Sequence, residues 1–182
     1  MIGMPRIKPV RIRRRGIMIE EICHQLTAYE VTAVTRQNCD QVFEIYDTNQ
    51  DFFVLSNGSA ATLESSMQDV DRIPPGFDIN KKALLCIWRE GKAVGILDLL
   101  QGYPNHSCIW IGLLLIHGAL HGNGIGQDIV TAVLNASKIE GYKSVQLGVI
   151  EHNLEGMAFW QRQGFVRVRN KDNIIVMEKL II

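Results

Sequence analysis

The stretch Ser107–Ile116 (Ser-Cys-Ile-Trp-Ile-Gly-Leu-Leu-Leu-Ile) carries no charged side chain and runs directly into a glycine-rich loop. A short apolar run of this kind reads as a strand buried on both faces. Its core, Cys108–Ile116, is far shorter than the roughly 20 residues a bilayer-spanning helix needs. The segment His121-Gly122-Asn123-Gly124-Ile125-Gly126 then opens an amphipathic helix. Ile125, Ile129, Val130, Val133 and Leu134 recur at helical spacing, and Gly141 supplies a C-terminal stop.

Strand, glycine loop and helix in that order have a chemical meaning. Glycine lets a ligand approach the backbone, because no Cβ stands in the way. The first N–H groups of a helix have no partner within it, and the helix dipole favours negative charge there. The loop therefore reads either as a site for a phosphate or pyrophosphate, or as a tight turn that needs glycine. Its spacing is Gly-x-Gly-x-Gly, which differs from the dinucleotide fingerprint, and no Gly-Lys-Ser/Thr follows as a P-loop requires.

The rest of the chain is punctuated in the same way. Glu30–Thr35 alternates and is rich in β-branched residues, as a strand is. Asn38 or Asp40 is placed to cap a helix with Val42, Phe43, Ile45 and Tyr46 on its apolar face. A second helical stretch runs from Ser59 to Val70, before Pro74-Pro75-Gly76 breaks the chain. Ala83–Trp88 and Ala93–Leu100 form a hairpin about Arg89-Glu90-Gly91-Lys92. Val145–Ile150 is a strand, Asn153–Arg162 a helix, and Phe165–Arg169 with Ile174–Met177 are closing strands. There is no internal repeat and no low-complexity linker, so residues 18–182 read as one domain.

Residues 1–17 read differently. Arg6, Lys8, Arg11, Arg13, Arg14 and Arg15 make a basic arm. It reads as a flexible extension, as an upstream segment if the start is Met18, or as an arm for RNA or anionic lipid. The whole chain has 19 basic and 19 acidic residues, a balance that argues against a dedicated nucleic-acid binder. With 47% hydrophobic and 21% charged residues, the chain can bury a core. Cys23, Cys39, Cys86 and Cys108 form no Cys-x-x-Cys pair, and no His/Cys cluster has zinc-ligand spacing. They read as reduced thiols of a cytoplasmic protein. No secretory leader and no membrane segment are expected.

Two motifs together carry a family resemblance. His121-x-x-Gly124-x-Gly126 resembles the pyrophosphate loop of the GNAT N-acetyltransferases, Arg/Gln-x-x-Gly-x-Gly/Ala, with His121 at the Arg/Gln position. Downstream, Asn153, Gly156, Phe159, Trp160, Gly164 and Phe165 resemble the family's Asn-x-x-Ala-x-x-aromatic/aliphatic-Tyr-x-x-x-Gly-Phe. The resemblance covers about Ala83 to Met177. It implies an α/β (α+β) fold with a central mixed, largely antiparallel twisted sheet flanked by helices. It also implies acetyl-coenzyme A as the cofactor and, often, a homodimer.

The resemblance further implies which residues hold acetyl-coenzyme A. The backbone of Leu114 and Ile116, with Leu115 between them, pairs with the pantetheine arm as an added strand would. Amides from Gly122 through Asn123, Gly124 and Ile125 to Gly126 take the pyrophosphate. Asn153 contacts the pantetheine arm, Gly156 lies against it, and Trp160 lines the thioester end.

Two departures concern catalysis. The family often has tyrosine where this chain has Trp160, and an indole cannot protonate a thiolate. Ser107–Ile116 also lacks the acid that many members place there as general base. Asp98, His106 and His117 are the candidate bases by strand position. Each is equally readable as a surface or hydrogen-bonding residue.

Acetyl transfer to an amine of a small molecule or a peptide N-terminus, by direct attack, is the leading reading. The acceptor is expected between Asn38–Val70 and the Tyr103 turn, near Glu44, Asp47, Asp51, Glu64, Asp69 and Asp71. The alternatives are a non-catalytic acyl-coenzyme A-binding module and an acetyltransferase directed to aminoacyl-tRNA through the basic arm.

Overall fold

A computed structural model describes residues 17–182; the basic residues Arg6 to Arg15 lie outside them. The elements are α1 (Ile17–Gln25), β1 (Glu30–Ala33), α2 (Phe43–Asp47), α3 (Gln50–Asn57), α4 (Leu63–Asp69), β2 (Lys82–Arg89), β3 (Lys92–Gln101) and β4 (Cys108–Ile116). They continue with α5 (Ile125–Ile139), β5 (Ser144–Ile150), α6 (Leu154–Arg162), β6 (Val166–Lys171) and β7 (Ile174–Leu180). The strands form one seven-stranded sheet in the order β1-β2-β3-β4-β5-β7-β6. Every neighbouring pair is antiparallel except β4 with β5. The fold class implied by the resemblance is therefore present: a mixed, mostly antiparallel sheet flanked by helices.

Each face of the sheet has its own apolar layer. On one face α5 buries Ile125, Ile129, Val130, Val133 and Ala136 against Leu97, Leu99, Ile109, Ile111, Val145 and Leu147. Met18, Ile19, Ile22 and Leu26 of the N-terminal helix region join that layer. On the other face Val42, Ile45, Tyr46 and Phe53 cover Leu84, Cys86, Ile96 and Leu115. Adjacent residues of one strand thus feed opposite layers, as the period of two requires.

The structure departs from the sequence reading in four places. Helix α1 occupies a segment the sequence reading leaves without an element. A separate helix, α3, occupies Gln50–Asn57 and stops at Gly58, whose φ of +74° favours glycine. The helix read from Ser59 begins at Leu63, because Thr62 caps it reciprocally. Thr62 Oγ1 accepts from Ser65 N at 3.1 Å, and Ser65 Oγ accepts from Thr62 N at 2.9 Å. Finally, β4 is not buried throughout: Gly112 is exposed, and Trp110, Leu113, Leu114 and Ile116 are half-buried.

Candidate active site

The exposure within β4 has a topological cause. β4 pairs with β5 only from Cys108↔Ser144 to Ile111↔Leu147. Past that point the two strands diverge, although β4 stays paired with β3 as far as Gly95↔Ile116. A wedge opens in the sheet between Gly112–Ile116 and Gly148–Ile150. Gly112 and Gly148 follow immediately after the last pair, and both are exposed at its mouth.

The register decides which groups face the wedge. His117 N donates to Val94 O at 3.0 Å. In antiparallel alternation Leu115 and Leu113 then turn their N–H and C=O groups to β3, and Leu114 and Ile116 turn theirs away from it. Their side chains divide the same way: Leu114 and Ile116 pack on the α5 layer, and Leu115 is buried in the other. The carbonyl of Ile116 is already engaged. It accepts from Asn49 Nδ2 at 2.9 Å and lies 2.9 Å from His121 Nε2. Because a carbonyl only accepts, this contact requires the proton on Nε2. His121 thus braces the loop to the end of the splayed strand.

The loop at the wide end of the wedge leads into α5. Gly122 and Gly124 have φ of +80° and +81°, and a Cβ at either would meet nothing within 4 Å. Gly124 caps the helix without a side-chain hydrogen bond. The amides of Ile125, Gly126 and Gln127 have no partner among the described residues. Asn123 is exposed beside them. Gly126 differs from its neighbours: a Cβ there would lie 3.2 Å from Phe159 and 3.6 Å from Ile116, so its bareness lets α5 close on α6 and β4.

Asn153, Gly156 and Trp160 come together on α6. Asn153 is its N-cap, with Oδ1 accepting from Gly156 N at 2.8 Å. Loss of that cap in Asn153→Ala is expected to cost about 1 kcal/mol, read as a lowered thermal midpoint. Trp160 is 9% exposed and packs edge-on between Phe159 and Phe165, at centroid distances of 4.9 and 5.2 Å. It belongs to the core, and Phe159 is the ring that reaches Gly126.

The three candidate bases are dispersed. His106 is exposed in the turn that enters β4, at the opposite end of the strand from His117. His117 follows β4, accepts from Ala119 N through Nδ1 at 3.3 Å, and approaches Glu44 with Nε2 at 3.4 Å. Asp98 alone stands at the mouth of the wedge. Its carboxylate abuts Gly112, where a Cβ would sit 2.7 Å from Oδ2. A register shift between Asp98 and Leu99 leaves Gly112 without a strand partner on β3.

The surroundings of Asp98 set its chemistry. Both its oxygens lie 2.6 Å from Lys82 Nζ; the lysine side chain is 2% exposed and the aspartate 14%. Burial pushes the Asp98 carboxyl up to about 6, against the opposing pull of the Lys82 ammonium. Of the six acids expected near an acceptor, Asp69 turns inward, and burial raises its carboxyl too. Tyr46 Oη is buried facing Asp69 without closing a hydrogen bond to it. Burial pushes that phenol up from its ordinary value, so Tyr46 stays protonated. Glu44, Asp47, Asp51, Glu64 and Asp71 are exposed.

Residues 42–165 match the acetyltransferase (GNAT) family model, and the chain belongs to that family. Members of the family use acetyl-coenzyme A. Among similar solved structures is an acetyltransferase from Thermus thermophilus, 22% identical, with a TM-score of 0.72 over 84% of this chain and 97% of that one. The PaiA N-acetyltransferase of Thermoplasma acidophilum, solved in complex with coenzyme A, gives 15% identity and a TM-score of 0.62 over 84% and 98% of the two chains. The ribosomal-protein-S18-alanine N-acetyltransferase of Escherichia coli gives 10% and 0.60, over 84% and 94%. At these identities the likeness is one of fold. No curated protein is significantly similar to this chain.

Proposed function

We propose that this chain transfers an acetyl group from acetyl-coenzyme A to the amine of a small molecule or a peptide N-terminus, by direct attack in a ternary complex. The observation that carries this reading is the wedge between β4 and β5, with unpaired peptide groups along one side and an ionisable carboxylate at its mouth. The residues present suit the donor. Leu114, with its N–H and C=O, and Ile116, with its N–H, offer strand-edge groups to an amide-bearing arm. The free amides of Ile125, Gly126 and Gln127 lie beyond the wide end, where a diphosphate is met by the helix dipole.

Acetyl-coenzyme A supplies the acyl carbon whose bond to sulfur is exchanged for a bond to nitrogen. Asp98 is the group that takes the proton from the acceptor's ammonium, leaving the nitrogen lone pair free to attack. A carboxyl near 6 is largely ionised at pH 7, and it is basic enough to hold a proton briefly. Lys82 fixes its orientation. Trp160 provides no acid, so the proton that the nitrogen sheds on becoming an amide passes through water to the departing sulfur. Holding both reactants at one opening supplies rate through proximity.

The test is calorimetry with coenzyme A, followed by thiol release from acetyl-coenzyme A across a panel of amines. Binding accompanied by turnover is expected. Binding without turnover on any amine would favour the acyl-coenzyme A-binding module instead, for which the missing acid on β4 is the supporting observation. The active form of Asp98 is the deprotonated one. The kcat on a good amine is therefore expected to be level above about pH 6 and to fall tenfold per pH unit below it. A pH–rate profile spanning roughly pH 4.5 to 8 reads this limb directly.

A further inference from the structure

We propose that the acceptor is an amine carrying a flat aromatic group, seated against the rings of Phe77, Tyr103 and Trp110 on the sheet face opposite α5. This rests on the transfer chemistry proposed above and narrows its substrate class.

Three separate segments bring these rings together. Phe77 lies in the connection before β2, Tyr103 in the turn after β3, and Trp110 on β4. Phe77 meets Tyr103 at 5.8 Å and 86°, and Tyr103 meets Trp110 at 5.6 Å and 88°. All three remain half-exposed. Consecutive edge-to-face contacts leave ring faces and edges available for a further ring, at the geometry aromatic pairs prefer.

Their position ties this wall to the reaction. The Trp110 ring passes 3.7 Å from where a Cβ on Gly148 would stand. Gly148 is the β5 lip of the wedge, and Gly112, against Asp98, is the β4 lip. An acceptor amine delivered to Asp98 therefore has its remaining atoms beside Trp110.

A third observation concerns the strand neighbour of Trp110. Gln146 is paired with Trp110 in the β4–β5 register, so both side chains share one face. It is 8% exposed, and its Nε2 donates to Glu178 Oε1 at 2.7 Å. Its Oε1 is buried with no partner among the described residues. Buried carbonyl-type oxygens are ordinarily met by a donor, and an N–H or O–H on the acceptor supplies one here. Asp98 and Asp69 are paired with Lys82 and Arg72, so Glu178 is the carboxylate beside this wall that no lysine or arginine neutralises among the described residues.

The experiment compares 2-phenylethylamine with n-butylamine in the thiol-release assay. The aromatic amine is expected to have a kcat/KM higher by about 30-fold, from ring burial and edge-to-face contact. In Tyr103→Ala the ratio should shrink below about fivefold, through KM rather than kcat. Equal values for the two amines, or an undiminished ratio in the variant, would overturn the assignment while leaving acetyl transfer intact. If no amine turns over, calorimetry with 2-phenylethylamine on the coenzyme A-loaded protein decides. Binding that is weakened in Tyr103→Ala supports the wall although the transfer reading has failed; no binding in the wild type sinks both.

Discussion

Replacing Asp98 by asparagine is expected to lower kcat by about 10²- to 10⁴-fold, the range over which a positioned general base contributes. The amide keeps the shape of the side chain beside Gly112 but cannot accept the ammonium's proton. Two further readouts separate this from damage to the fold. The limb of the pH–rate profile below about pH 6 should vanish, because the group that produces it is gone. Coenzyme A affinity should stay near the wild-type value, since the loop before α5 lies at the other end of the wedge. The substitution also strands Lys82, whose side chain is 2% exposed. Breaking a buried ion pair from one side costs about 3–5 kcal/mol, so rates belong well below the variant's thermal midpoint. A wild-type rate in a folded Asp98→Asn protein would remove Asp98 from the chemistry.

The second large effect concerns the loop. Gly124→Glu should weaken coenzyme A binding by about 30-fold. A carboxylate some 4 Å from a phosphate costs about 1–4 kcal/mol, depending on how much water screens the pair. Gly124 has a φ of +81°, so any side chain also brings backbone strain of about 1–2 kcal/mol. Gly124→Ala isolates that strain. It should lower the thermal midpoint while leaving coenzyme A affinity within about fivefold, because a Cβ there meets no neighbour. Calorimetry on the two variants distinguishes charge from strain. Equal losses in both would assign the effect to strain or to the added Cβ and not to charge, and no loss in either would mean that the amides are not where a diphosphate binds.

Much of the architecture is legible in the sequence because it follows from local signals. The hairpin of β2 and β3 is marked by Glu90-Gly91, which adopt φ of 53° and 74°. The helix stop at Gly141 is marked in the same way, with a φ of +77°. Helix α1 escapes the sequence reading although Met18, Ile19, Ile22 and Leu26 show helical spacing. The sequence reading places these residues in the domain but assigns them no element, because only contact with α5 gives that apolar stripe a partner.

The site divides along the same line. The glycine loop is visible in the spacing of consecutive residues, which leaves it a phosphate site or a tight turn until the family resemblance is added. Asp98 is one of three candidates, and sequence has no means to prefer it. Its distinction comes from Lys82 on one neighbouring strand and bare Gly112 on the other, both fixed by register. Trp110, Gln146 and Gly148 draw no notice for the same reason. Nothing in a single strand says which residue lies across from it, and the end of β4–β5 pairing at Leu147 has no local marker.

A slot cut through a sheet, unlike a pocket sunk into one side, has two separate entrances. On the proposed reading a nucleotide thioester lies along the gap from the glycine loop and the amine arrives past Trp110, so the two do not share a doorway and neither need wait for the other to leave. Saturating one reactant should therefore not exclude the other. Free coenzyme A should compete with its acetylated form alone, and inhibition by it should survive any excess of amine.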